Sequence, residues 1–418
     1  MTAEIGQTYD LLAAGGLDEG DDRLFRQMLA ATRETIDAQP HLTCGNHNTW
    51  GIVACLSVAM AAGDRQRLHD ALYGCESSGN WRYGLAHQLR HDVLSDGLHW
   101  ERAPGYHFYT LMGLVELAWM LSNVGVDIWH VLLPAATASD GSDLHRAYGL
   151  EGQAKCLKAA FDTPFYATFA NRDFSLLHDS GLANLRGAWI WGPIYELAYE
   201  VYRDPKYAWL LRVVDREYPE REYKELPMSL HASRGVVDFV RLNRVRVPAG
   251  HFSLAEDCTV SLTGRHVAGC TLFPTAGQAF LRNDARDESS PGAYMFWGPH
   301  SAGHQSPAAL HVDFHAQGRR LTDAPRSGGY EDPMHLTWVR TTIAHNTVTV
   351  DQAPMFPYDA EGDSIWEADR WRERPSDGRL ELFQPEGPFK AMRASNESVY
   401  PGVRLDRTVV VGRHYVLD

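Results

Sequence analysis

The spacing of apolar residues changes period partway along the chain, and this limits the possible folds more than any other feature of the sequence. Up to about residue 225, apolar side chains recur three and four positions apart, the period of helices that bury one face. Phe25, Met28, Leu29, Thr32 and Ile36 make one stripe, with Asp21 and Asp22 ahead of it as helix-start residues. Further helices are expected from about Thr49 to Ala62, from Arg65 to Leu72, and across the helix-compatible residues 80–93. Others are expected from Phe108 to Leu121, from Leu144 through Ala159 with Ser142 or Asp143 as cap, and over 191–209. Repeated helices joined by loops suggest a toroid or a solenoid-like layer, although no strict short repeat marks one.

Beyond residues 225–245 the period becomes two. His311, Asp313 and His315 alternate with Val312, Phe314 and Ala316, and a second short strand leads to Asp323. Thr347, Thr349 and Asp351 alternate with Val348 and Val350, while Val260, Leu262 and Val267 fall in other strands. Short strands with polar turns point to an antiparallel sandwich rather than to βαβ units. The expected class is α+β, with a helical domain over 1–240 and an antiparallel β-sandwich domain over 241–418, in close contact because no long linker parts them. The strand-like run from Val403 to Leu417 reaches the end of the chain without a turn, which reads as a fragment of a longer protein.

Composition narrows the function. With 44% apolar and 22% charged residues the chain is of a globular, core-forming kind. A net charge of -14 argues against a broad nucleic-acid face, yet a local cleft of Arg and His can still hold an anion. No apolar stretch reaches membrane-spanning length, and Met1–Asp10 has neither the basic head nor the apolar run of a secretory leader. That leaves location open between the cytoplasm and export. The cysteines Cys44, Cys55, Cys75, Cys156, Cys258 and Cys270 form no CxxC pair and are too sparse for a disulfide scaffold. Oligomeric state is not readable.

Three clusters carry candidate chemistry. Asn46-His47-Asn48-Thr49-Trp50 offers an amide donor and an imidazole at a helix start, or equally an N-cap beside a core-edge Trp. Trp100-Glu101-Arg102-Ala103-Pro104-Gly105-Tyr106 places a tyrosine just after a rigid turn, with Arg102 near it, or simply caps a helix with an aromatic plug. His304, Asp323 and His345 are acceptable zinc donors, and hydrogen bonding between strands explains them nearly as well. Dinucleotide, phosphate-loop, zinc-protease and serine-hydrolase motifs are absent from the sequence.

These clusters, with Gly303-His304 through Gly318 and Ala344-His345-Asn346-Thr347-Val348-Thr349-Val350-Asp351, resemble the heparinase II/III-like polysaccharide lyases and their alginate-lyase relatives. The resemblance implies an incomplete (α/α) toroid followed by an antiparallel β-sandwich, with the site between them. It implies β-elimination on a uronic-acid-containing polysaccharide, giving a 4,5-unsaturated end, with no cofactor needed for the chemistry. By the same resemblance Asn46, with His47, offsets the uronate carboxylate. Tyr106 is the acid and a base for one sugar epimer, and His304 is the base for the other. Trp50, Trp100 and Arg102 line subsites. Family members carry a structural zinc, for which Asp323 and His345 match two ligands. Ser306 stands where the third, a histidine, belongs, so the balance leans against tightly held zinc unless His311 or His315 substitutes. The competing readings are a glycoside hydrolase on a helical toroid, which needs two facing carboxylates, and a non-catalytic glycan-binding protein.

Overall fold

The computed structural model describes residues 2–38, 45–75, 84–134, 154–219, 248–256, 258–259, 264–299, 304–326, 329–355 and 376–418. The expected domain boundary near 240, the helix start around Leu144, its caps Ser142 and Asp143, and the strand residues Val260 and Leu262 lie outside these.

Helices dominate the first half. They are α1 (Thr2–Gly15), α2 (Glu19–Ala38), α3 (Asn46–Ala62) and α4 (Arg65–Tyr73), then the short α5 (Leu85–His87), which runs into a π turn at Gln88–Asp92. After these come α6 (Pro104–Ser122), α7 (Leu157–Tyr166), α8 (Ile194–Tyr202) and α9 (Pro205–Glu217). In α3 every residue from Ile52 to Ala59 is buried, and in α6 every residue from Thr110 to Ala118 is, so along these spans the two helices are buried on all sides. Helix α2 buries only Leu29, Thr32 and Ile36, leaving the expected core residue Met28 40% exposed. The single helix expected over 191–209 is two, because Asp204 caps the backbone N–H of Lys206 and Pro205 opens a new helix at its first position.

The second half is antiparallel sheet. Strands β3 (Cys258–Thr259), β4 (Arg265–Val267), β5 (Cys270–Phe273), β6 (Gln278–Arg282), β7 (Gly292–Phe296), β8 (His311–Ala316) and β9 (Arg319–Arg320) pair in chain order. A four-stranded sheet follows, with β10 (Arg379–Gln384), β11 (Lys390–Asn396), β12 (Leu405–Val411) and β13 (Val416–Leu417). A small pair, β1 (Leu133–Pro134) and β2 (Ala154–Lys155), sits in the helical half. Leu281, Met295 and Val312 from the larger sheet share one core with Met392, Val409 and Val411 from the smaller. Strand β8 is as expected, but 347–351 is not a strand. Asn346 and Thr347 send side-chain bonds to the carbonyls of Val312 and Ala309, and Val350 makes only an isolated bridge to Ala353. The last run also contains a turn, between β12 and β13.

The two halves meet without a gap. Phe273, Phe280, Tyr294 and Phe296 belong to the same core as α3 and α6. Asp313 on β8 accepts bonds from Ser175 Oγ at 2.6 Å, Thr322 Oγ1 at 3.1 Å and His311 Nε2 at 3.1 Å. Burial raises this carboxyl, but His311, Ser175 and Thr322 together outweigh it and hold it below the ordinary value. A depressed carboxyl contributes stability above its unfolded pKa of about 4 and loses it as pH falls through the folded value. Asp313→Asn is therefore expected to lower stability at pH 7 by roughly 1–3 kcal/mol and to flatten the acid limb below pH 4, as urea midpoints across pH will show.

Candidate active site

The site is built where the start of α6, the turn before α8 and two segments of the sheet half converge. Pro104 opens α6 at its first position, and Gly105 N–H donates to Ser180 Oγ at 2.8 Å. This fixes Tyr106 beside the 178–181 turn, where His178 takes a left-handed φ of 72°. Asp179 N–H in turn donates to the His304 carbonyl at 2.8 Å, so the turn joins α6 to the sheet half.

Four side chains meet there. The Tyr106 ring stacks on the His304 imidazole, with centroids 3.3 Å apart and planes within 8°. The hydroxyls of Tyr106 and Tyr330 are hydrogen-bonded to each other. Tyr330 Oη donates to Asp179 Oδ2 at 2.6 Å, and His304 Nδ1 lies 3.1 Å from that oxygen and 3.2 Å from Tyr330 Oη. An ionised carboxylate only accepts, so both His304 Nδ1 and Tyr330 present protons to Asp179, and Nε2 is the basic nitrogen of His304. Burial raises the Asp179 carboxyl, but bonds from His304 and Tyr330 and the charges of His304 and Arg340 hold it below its usual range. Burial is also the largest influence on both phenols and pushes them above the ordinary tyrosine value, so they keep their protons at neutral pH. Asp179, Ser306, Arg326, Tyr330, His335 and Arg340 line a cavity of about 180 Å³ beside this network.

Of the residues expected from the sequence, Tyr106 and His304 are brought into direct contact. Asn46 is connected through a third residue. It is 2% exposed, and its amide donates to both oxygens of Glu101 at 3.1 and 3.0 Å. Glu101 lies 3.4 Å from His99 Nδ1. Burial raises Glu101, but His99, His304 and Asn46 lower it further, and it stays below the ordinary range. His47 is exposed at the start of α3. Trp50 packs against Tyr109, with ring centroids 5.5 Å apart. Trp100 and Arg102 are each 3% exposed. Arg102 donates to the Ala276 carbonyl at 2.9 Å and the Trp100 carbonyl at 2.7 Å, which makes it a clamp between the halves. Asp179 and Tyr330 were not expected. Their only sequence signals are short polar stretches, His178-Asp179-Ser180-Gly181 and Gly329-Tyr330.

The residues that would hold zinc do not fit it. Ser306 is buried, with its N–H on His178 Nδ1 at 3.2 Å. The Asp323 side chain is 55% exposed and paired with Arg320 Nε at 2.9 Å. Burial lowers His345 to about 4, and its Nδ1 donates to the Thr341 carbonyl at 2.8 Å. Of the alternative ligands, His311 is bonded to Asp313 at 3.1 Å and His315 to the Ser290 carbonyl at 3.2 Å. Among the described residues no group of three or more His, Cys, Asp or Glu side chains is arranged to hold a metal. The 304–307 segment is instead tied by hydrogen bonds that Gln305 donates to the Trp100 carbonyl and Ser306 N–H to His178 Nδ1, and by those it accepts from Arg340 and Thr342. Dialysis against a chelator is expected to leave the thermal unfolding midpoint unchanged, whereas a fall of several degrees would reveal a structural metal.

The alginate lyase family matches residues 11–150. No curated protein matches the chain. Among solved structures, a heparinase III superposes with a TM-score of 0.57 at 14% identity, covering 93% of this chain and 48% of that one. A second heparinase III gives 0.55 at 13% identity, covering 94% and 47%. A mutant heparan sulfate lyase from Pedobacter heparinus gives 0.52 at 14% identity, covering 94% and 48%. The chain thus spans about half the length of the solved structures it matches, and at these identities the likeness is one of fold. By sequence in residues 11–150 and by fold over most of its length, the chain is similar to the heparinase-like polysaccharide lyases and their alginate-lyase relatives, the family that its motifs resemble.

Proposed function

We propose that the protein is a polysaccharide lyase that cleaves a uronic-acid-containing polysaccharide by β-elimination, in a site between an incomplete (α/α) toroid and an antiparallel β-sandwich. The observation that carries this reading is the stack of Tyr106 on His304, with Tyr330 and Asp179 bonded to the same pair. Elimination needs a base for the C5 proton and an acid for the O4 leaving group, close together on one sugar ring. His304 Nε2 and Tyr330 are the bases available here, and Tyr106 is the acid. The C5 proton leaves to the base, the C4–O4 bond breaks as the C4–C5 double bond forms, and Tyr106 protonates O4. Arg326 and Arg340, on the cavity wall, supply the positive charge that offsets the substrate carboxylate as enediolate character develops. Asn46 supports the site through Glu101. The chemistry uses side chains alone, and the substrate is an acidic poly- or oligosaccharide.

The test is a panel of acidic polymers (alginate, heparan-type, chondroitin-type, hyaluronate, ulvan and glucuronan) read by ultraviolet absorbance and product mass. One polymer is expected to give unsaturated ends. New reducing ends without unsaturation would mean hydrolysis, and binding without product would mean a glycan-binding protein.

A further inference from the structure

The base proposed above poses a difficulty that the structure answers. Tyr330 is held as a neutral phenol, and a neutral phenol is a poor acceptor for a carbon-bound proton. Its hydroxyl already donates to Asp179 Oδ2 at 2.6 Å while accepting from Tyr106. Resting on the β-elimination reading, we infer that Asp179 is the terminal proton acceptor of the site: as the C5 proton moves to Tyr330 Oη, the Tyr330 proton moves to Asp179 Oδ2. The C5–H electron pair becomes the new double bond, the C4–O4 pair leaves with O4, and O4 takes the Tyr106 proton. The cycle closes when Asp179 loses its proton and Tyr106 regains one, directly or along the hydroxyl chain that joins them.

Three features fit Asp179 for this task. It is fixed at its backbone, through the His304 carbonyl, and at its side chain, through His304 Nδ1. It reaches the site from the helical half, whereas Tyr330 and His304 belong to the sheet half, so the dyad exists only when the two halves are docked. It is also the unprotonated partner of the pair, so it has an oxygen lone pair ready to take the Tyr330 proton as the C5 proton arrives. The titratable groups that face it are His304 and Tyr330, Arg340 and His335 from the 335–340 segment, and Tyr106 from α6.

The experiment compares wild type, Asp179→Asn and Tyr330→Phe on the polymer the wild type cleaves, across pH 5 to 10. Asp179→Asn is expected to lose at least about 100-fold in kcat at pH 7 with KM nearly unchanged. Its residual rate should then climb about tenfold per pH unit on the alkaline side, as Tyr330 ionises without help. Tyr330→Phe should be as slow and show no climb. An Asp179→Asn rate within tenfold of wild type, or a reduced rate with the wild-type pH profile, overturns the inference. If Asp179→Asn fails to fold, Tyr330→Phe decides: turnover near wild type excludes the dyad, and loss at unchanged KM supports it. A wild type that forms no unsaturated product on any polymer defeats the lyase reading instead, a separate result.

Discussion

Tyr106→Phe is expected to lower kcat by about 10³-fold on the polymer that the wild-type protein cleaves, with KM changed little. General acid catalysis contributes most where the leaving group is an alkoxide, and O4 of a sugar is a poor leaving group without a proton. The environment also decides which role the phenol can fill. Burial and the negative charges of Asp179 and Glu101 raise Tyr106, and Tyr330 and Arg340 offset this only in part. Even an ordinary phenol, with pKa near 10, is under about 1% ionised at pH 7. The group rests as a protonated phenol, which fits the acid role proposed for it. The substitution leaves the stack on His304 in place and removes one hydroxyl bonded to the half-exposed Tyr330, so stability should fall by no more than about 1 kcal/mol. A variant that keeps its unfolding midpoint and loses turnover fits this role. One that stays within tenfold of the wild-type rate removes Tyr106 from the chemistry.

Much of this site was legible where the chain carries a local device. Pro104-Gly105 announces a helix start, and Tyr106 follows it by one residue, so the fixed tyrosine could be read from the sequence. Helices α3 and α6 were legible as helices, although their apolar stripe widens to a full circumference because both are central. The alternation at 347–351 misled, since those polar side chains bond to carbonyls of neighbouring segments rather than mark a sheet face. Asp179 and Tyr330 lie 151 positions apart, and no local pattern records that two polar turns will meet. Asn46 shows the same limit from the other side. Its position at the helix start was readable, but its capture by Glu101, 55 positions on, was not. Arg102 was readable only as a positive side chain next to a candidate site. Only the packed structure shows two backbone carbonyls around it.

The second large effect concerns stability. Arg282→Met is expected to lower the unfolding free energy by roughly 3–5 kcal/mol, measured from urea midpoints at unchanged slope. Arg282 is 1% exposed at the end of β6 and reaches across to the helical half. Its guanidinium donates to the Thr168 carbonyl at 2.9 Å, the Tyr166 carbonyl at 2.6 Å, the Gly269 carbonyl at 2.7 Å and Thr271 Oγ1 at 3.0 Å. The charge is offset by carbonyl dipoles, and burial pulls the group down to about 9. Methionine fills much of the volume and keeps apolar contact with Phe280, over whose ring the guanidinium lies at 5.3 Å. It leaves the three carbonyls at the α7 end and the β4–β5 turn unpaired in a dry interface, at about 1–3 kcal/mol each before any water enters. Arg282→Lys keeps the charge but replaces a planar fork with a single ammonium that cannot reach all four acceptors, so an intermediate loss is expected. Because the same interface holds Asp179 against His304 and Tyr330, both variants should lose turnover at urea concentrations where the wild type is still active. If Arg282→Met unfolds at the wild-type midpoint, docking of the halves does not depend on this bridge, and the apolar core of α3, α6 and the larger sheet carries the contact with the Arg102 and Asp313 links.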